Sequence, residues 1–200
     1  TLSNNGIGNL TASLMGKKIK NMSREKFQTL FESKGASIQA SFNHNSLTYS
    51  LLTTTADAPQ LMPYFLSGAL KYDVEQSTFD EVKSQILTAI SKKPESWFET
   101  SYDLLKQELN VPGSVYALPL TGSKDSITSI TANDTIRYLS NSFHESPIAI
   151  TIQSADPDQT WEFLKKDVNK LKSRAVHEKL TPTFNTKFKT NVMISPNVGV

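Results

Sequence analysis

The stretch at 5–16, reading NGIGNLTASLMG, sets the terms for the rest of the chain. Ile7, Leu10 and Leu14 recur at spacings of three and four, the period of one buried helical face. A face of that kind has to be covered, and the hairpin and helices that follow are the material for covering it. Gly6 and Gly8 stand at the start of this helix, a place where anions can bind. The lysine and hydroxyl of a phosphate-binding loop do not follow at the required spacing, so close packing is the expected role of the pair. Asn4 or Asn5 is expected to cap the helix, and Gly16 with Lys17 and Lys18 to end it.

Ser23 is placed to cap a second helix bearing Phe27, Leu30 and Phe31, with Gly35 at its end. Ile38, Ala40 and Phe42 alternate, as do Leu47, Tyr49 and Leu51. The turn residues Asn43, His44, Asn45 and Ser46 lie between them, which is a hairpin pattern. Asp57, Ala58 and Pro59 open a third helix, and Ser77 with Asp80 reads as a capping box for a fourth. A fifth carries Trp97, Phe98, Leu104, Leu105 and Leu109, with both chain tryptophans expected as core or interface anchors. Residues 111–124 contain two prolines and two glycines and read as an exposed loop. Thr131 and Asp134 form another capping box. Residues 147–154, with Ile148, Ile150 and Ile152 on one side, read as a strand, and Ala155, Asp156 and Pro157 start the last helix, which carries Trp161, Leu164, Val168 and Leu171.

The expected class is α+β, with helices on a mostly antiparallel sheet whose first strand is missing before residue 1. The domain is expected to occupy 1–172, and 173–200 to be a linker entering a following domain. The chain lacks an initiator methionine and a leader, so it is expected to be a segment of something longer.

Composition narrows the chemistry. The 200 residues carry a net charge of only +2, which argues against nucleic acid and anionic membrane as partners. Cysteine is absent, so there is neither a disulfide nor a thiolate metal site. The three histidines, His44, His144 and His177, have no second ligand one helical turn away, so no metal ligand is assigned. No serine stands in a Gly-x-Ser-x-Gly elbow, and Ser123 reads as a turn serine with no helix start behind it. Asp80 and Glu81 read as a solvated helix face.

The order of elements and several local phrases resemble the repeated lobe of the pitrilysin/insulinase metallopeptidases. The phrases are GIGN at 6–9 followed by LMG at 14–16, FQTLFESKG at 27–35 entering the hairpin, and VYALPLTG at 115–122 before Ile130 and Thr131. Active lobes of that family carry H-x-x-E-H on the first of these helices, with two zinc-binding histidines and a glutamate that activates water. Laid on this chain, the motif falls on Asn9, Ala12 and Ser13, so no catalytic residue and no metal ligand carries over. The third ligand of the family comes from a glutamate on the helix equivalent to 77–92. The resemblance implies a non-catalytic lobe that lines a peptide chamber and aids closure. Its expected partners are an unfolded peptide and a zinc-bearing catalytic half, in the same chain or a partner subunit. Gln39 and Ser41 are the expected peptide-contacting residues, on a strand whose edge is either open to peptide or buried. The compartment implied is periplasmic or otherwise exported. The alternatives are a structural or assembly protein of the same fold, and an unrelated α+β binding domain.

Overall fold

The chain is described from a computed structural model, which places residues 4–111, 113–169 and Phe184. Among the described residues eight α-helices and one hairpin follow in order: α1 (Ile7–Leu14), α2 (Arg24–Glu32), β1 (Ser37–Phe42), β2 (Leu47–Leu52), α3 (Ala58–Leu70), α4 (Gln76–Lys92), α5 (Trp97–Leu109), α6 (Lys124–Ser129), α7 (Ala132–Glu145) and α8 (Pro157–Val168). Short 3-10 turns at Lys93–Glu95 and Val115–Ala117 flank α5.

α1 is the hub, as its spacing requires. Leu10 and Leu14 have no exposed surface, and they pack with Phe79, Val82 and Ile86 of α4, Ile127 of α6, and Ile130. Burying each leucine contributes about 1.5–3 kcal/mol relative to leaving it in water. Ile7 is half-buried against the same cluster. At the other end of α1, Met15 meets Ala69 of α3 and Leu139 of α7. A second cluster, Ile19, Phe27, Phe31, Ala36 and Leu61, joins α2 to α3 and the hairpin.

The hairpin is antiparallel, with Ser37 opposite Leu52 and Phe42 opposite Leu47. Its side chains alternate between half-buried and exposed, the period-two signature of a sheet with one covered face. The Asn43 carboxamide oxygen accepts from the backbone N–H groups of Asn45 and Ser46, each at 2.8 Å, and so shapes the turn. The covered face rests on α1, where glycine permits close approach. A Cβ at Gly8 would overlap the Phe42 ring, and one at Gly16 would lie 2.7 Å from a methyl of Ile38. The expectation that the hairpin lies beside the first helix holds.

Several expectations are corrected. Gly6, in the left-handed region at φ 91°, occupies the N-cap of α1, and neither Asn4 nor Asn5 caps it with a side chain. The chain enters α1 through a backbone turn that only glycine adopts freely. α4 starts at Gln76 behind Glu75, so Ser77 is inside the helix, and Asp80 instead accepts from Gln76 at 2.9 Å. Residues 124–129 form α6, which the reading of 111–124 as an open loop did not anticipate. Its capping box is made by Ser123 and Ser126, a serine standing where glutamate is usual. Ser123 therefore begins a helix. Residues 147–154 pair with no strand among the described residues, and Ile148 and Ile150 are 39% and 42% exposed. Alternation marks a segment as able to pair, but a strand forms only where a partner edge is present. The Ser23 cap and the Thr131–Asp134 box form as read, and Asp156 caps α8. The expected linker at 173–200 lies outside the described residues apart from Phe184.

Candidate functional site

α1 sets the geometry where chemistry was sought. Asn9 and Ser13 are one turn apart on one face and half-buried, and the Ser13 hydroxyl donates to the Asn9 carbonyl at 2.9 Å. Ala12 is 5% exposed. A carboxylate in its place would have to be desolvated, so this position is built for a methyl group. Thr11 is fully buried, and its hydroxyl has no partner. The N-terminus of α1 is filled by protein backbone. A Cβ at Gly6 would come within 2.8 Å of both Gly122 Cα and the Thr121 carbonyl oxygen. Close backbone packing, rather than an anion, thus accounts for Gly6, and the Phe42 ring accounts for Gly8.

An amide, a methyl and a hydroxyl offer neither a zinc ligand set nor a general base, so the residues present do not fit the metal that the motif would hold. The carboxylates of α4 are engaged elsewhere. Asp80 is held by Gln76, while Glu81 pairs with Arg24 at 3.1 Å and accepts from Gln85 at 3.4 Å. Among the described residues no group of three His, Asp or Glu side chains is placed to hold a metal ion. His44 packs at a tilt against Tyr116 with ring centroids 5.3 Å apart, and Tyr116 donates to Asn45 at 2.7 Å, which docks the hairpin turn on the segment after α5. Burial and the nearby Lys106 ammonium lower its pKa, favouring the neutral ring. His177 lies outside the described residues.

Gln39 and Ser41 are exposed on β1, opposite Ser50 and Thr48. Their neighbours Ile38 and Phe42 face α1, so the hairpin separates Gln39 and Ser41 from Asn9, Ala12 and Ser13. The structure does not bring the two candidate sets together. Among the described residues β1 pairs only with β2, and its other edge meets no strand.

Two features were not legible as sites. A cleft of about 280 Å³ lies between α4, α5 and residues 120–121, where Asp103 is paired with both Lys93 and Lys106. Those ammonium groups, donating to it, hold the Asp103 carboxyl below its ordinary pKa, although burial, the largest single influence, opposes them. The second feature is the outer side of α5. Trp97, Phe98, Tyr102 and Leu105 are 68%, 64%, 53% and 52% exposed, so of the two roles expected for Trp97, core or interface anchor, the core is excluded. The spacing Phe98–Tyr102–Leu105 was the available signal, but spacing does not say whether a face is covered.

Solved structures share this architecture. The chain is similar to a protease from Helicobacter pylori, with a TM-score of 0.73 and 18% identity over 92% of this chain and 44% of that one. It is also similar to a peptidase M16 inactive domain from Pseudomonas fluorescens, with a TM-score of 0.63 and 18% identity over 68% of this chain and 33% of that one. The fold is that of an M16 peptidase lobe. It is α+β, as the sequence implied, and it is the fold expected from the pitrilysin resemblance. The same lobe matches a chain of complex III2 from Candida albicans, in a structure with Inz-5 bound, with a TM-score of 0.58 and 16% identity over 92% of this chain and 42% of that one. The chain spans less than half the length of each of these three proteins. No family model and no curated protein matches the sequence.

Proposed function

We propose that this chain is a non-catalytic lobe of a pitrilysin/insulinase-type zinc metalloendopeptidase. It forms chamber wall and contacts extended peptide, while a partner half supplies zinc and the water-activating base. The observation that carries this reading is the helix α1. It stands at the centre of an M16-type fold and carries Asn9, buried Ala12 and Ser13 at the positions that the pitrilysin resemblance matches to the two histidines and the glutamate of an active lobe. The likeness to a domain described as inactive supports it. In this reading the free edge of β1 takes the peptide backbone by strand addition, with Gln39 and Ser41 flanking it. In this reading the protein works in the periplasm or another exported location.

The test is reconstitution. The purified chain should neither retain stoichiometric zinc nor cleave an unstructured peptide. Adding the catalytic half, encoded upstream or in an adjacent gene, should give zinc-dependent cleavage with a lower KM than that half alone. Stoichiometric zinc and cleavage by this chain alone would sink the proposal. The likeness to a chain of complex III2 favours a second reading, a purely structural lobe of the same fold. That reading predicts a stable complex with a partner subunit and no intact H-x-x-E-H in the gene or its neighbour.

A further inference from the structure

The chain between α1 and α2 lies against the chain between α3 and α4. Ile19 bridges Tyr72 in the antiparallel sense, and the Lys20 N–H donates to the Lys71 carbonyl at 3.0 Å. This pairing sets Lys18 opposite Asp73 and Lys20 opposite Lys71. Side chains alternate along such a ladder, and Ile19 is buried with Tyr72 half-buried, so the four charged residues share the other side. The Lys18 ammonium agrees with the register, at 3.3 Å from Asp73 and 3.1 Å from Glu75. One step along, two lysines stand directly across from each other, an arrangement that opposes folding. Both are exposed, and no ion pair among the described residues includes either. Lys71 is the C-cap of α3, where a cation suits the helix dipole. The dipole accounts for one cation there and leaves the second unexplained.

We propose that Lys20 and Lys71 together hold a carboxylate from an acidic segment of a partner protein. This rests on the ladder alone and is independent of the proposed peptidase role. Residues directly opposite on paired strands have Cβ atoms about 5 Å apart, so two lysine stems can converge on one carboxylate. Asn21 follows Lys20 in a turn that the Met22 N–H closes on the Ile19 carbonyl at 3.2 Å. With φ 70° it is the one non-glycine residue in the left-handed region among the described residues. Asparagine adopts that region more readily than most residues, and here it adds an exposed carboxamide next to Lys20 in the chain. A protein carboxylate suits the site better than phosphate. Phosphate cradles use converging backbone N–H groups, and those of Lys20 and Met22 are engaged within the ladder and the turn. The net charge of +2 gives no field for a polyanion.

The test is a titration of the full 200-residue chain with a tetraglutamate peptide, followed by backbone amide NMR signals. The signals of Lys20, Asn21 and Lys71 should move most. Binding should weaken between 0.01 M and 0.15 M salt, where the screening length falls from about 30 Å to about 8 Å. Lys20→Glu should weaken it about fivefold or more, and Lys71→Ala by a smaller factor. Lys20→Glu should also raise the urea midpoint, because it turns opposed cations into an opposite pair like Lys18 and Asp73. Lys124→Glu changes the net charge equally. It follows Gly122, which packs on Gly6 at the other end of α1, and it should leave peptide binding unchanged. Signals unmoved by the peptide would overturn the proposal. So would equal weakening by Lys124→Glu, or a Lys20→Glu chain that binds as tightly as the natural one. An unchanged or lowered midpoint for Lys20→Glu would show that the two cations do not oppose each other and would overturn it too. Movement of the same signals by inorganic phosphate at lower concentration than the peptide would overturn it in favour of a free phosphate ligand.

Discussion

α1 and α5 make an instructive pair. Both carry aliphatic or aromatic residues at helical spacing, and from periodicity alone both read as helices with one face in a core. In α1 the face is closed on every side, and even the backbone is approached closely at Gly6, Gly8 and Gly16. In α5 the stripe points outward. Periodicity therefore reports that a face needs covering, whereas glycine placed at its margins reports that something comes close enough to cover it.

The comparison breaks most readily by truncating leucine on each helix. Leu10→Ala should lower the unfolding free energy by about 3 kcal/mol, because it leaves a cavity in a closed cluster. Leu105→Ala should cost less than about 1 kcal/mol, because half of that side chain already meets water. Equal midpoints for the two variants in urea would show that α5 is as buried as α1. Gly8→Ala comes next, at about 2 kcal/mol from overpacking against Phe42. Adding Phe42→Leu should recover part of that loss in the same titration, and no recovery would mean that the ring is not what limits the site.

A smaller effect is expected at the Thr131–Asp134 box, which starts α7 and so fixes Leu139 against Met15. Thr131→Ala should cost about 1 kcal/mol. Hydrogen bonds from the Thr131 side chain and backbone, with Arg137 nearby, depress the Asp134 carboxyl to about 2. A carboxyl depressed in the folded state stabilises fully above its unfolded pKa of about 4, and that contribution is lost as pH falls through about 2. The gap in stability between the natural chain and Asp134→Ala should therefore narrow from pH 4 to pH 2. A gap that stays constant with pH would mean that the carboxylate charge contributes nothing to the cap. Smallest of all, Gln39→Ala and Ser41→Ala should each leave stability within about 0.5 kcal/mol, since both are exposed. Their effect is expected on peptide binding in the reconstituted assembly, read as a raised KM.

Much of the architecture was legible in the sequence because it rests on local rules. Ser23, Thr131 and Asp156 cap helices through hydrogen bonds that need only the next three residues. The hairpin follows from alternation around Asn43, whose side chain closes the turn by itself. α6 escaped because Ser126 is a weak signal for a capping box, and Ile127 and Ile130 look like loop residues until α1 and α4 close over them. Residues 147–154 misled for the opposite reason, since their pattern is that of a strand while pairing needs an edge supplied from elsewhere.

For the candidate site the division is the same. The chemistry was settled by residue type: asparagine, alanine and serine at 9, 12 and 13 have no zinc ligand set and no base, whatever surrounds them. Tertiary structure alone decided that Ala12 is sealed into the core, and that Gly6 packs on Gly122 rather than on an anion. It also set Gln39 and Ser41 on the far face of the hairpin and turned the aromatic stripe of α5 outward. Residue identity limits the reactions a chain can perform, because functional groups are covalent. Burial and juxtaposition depend on which distant segments meet, and no local pattern carries that information.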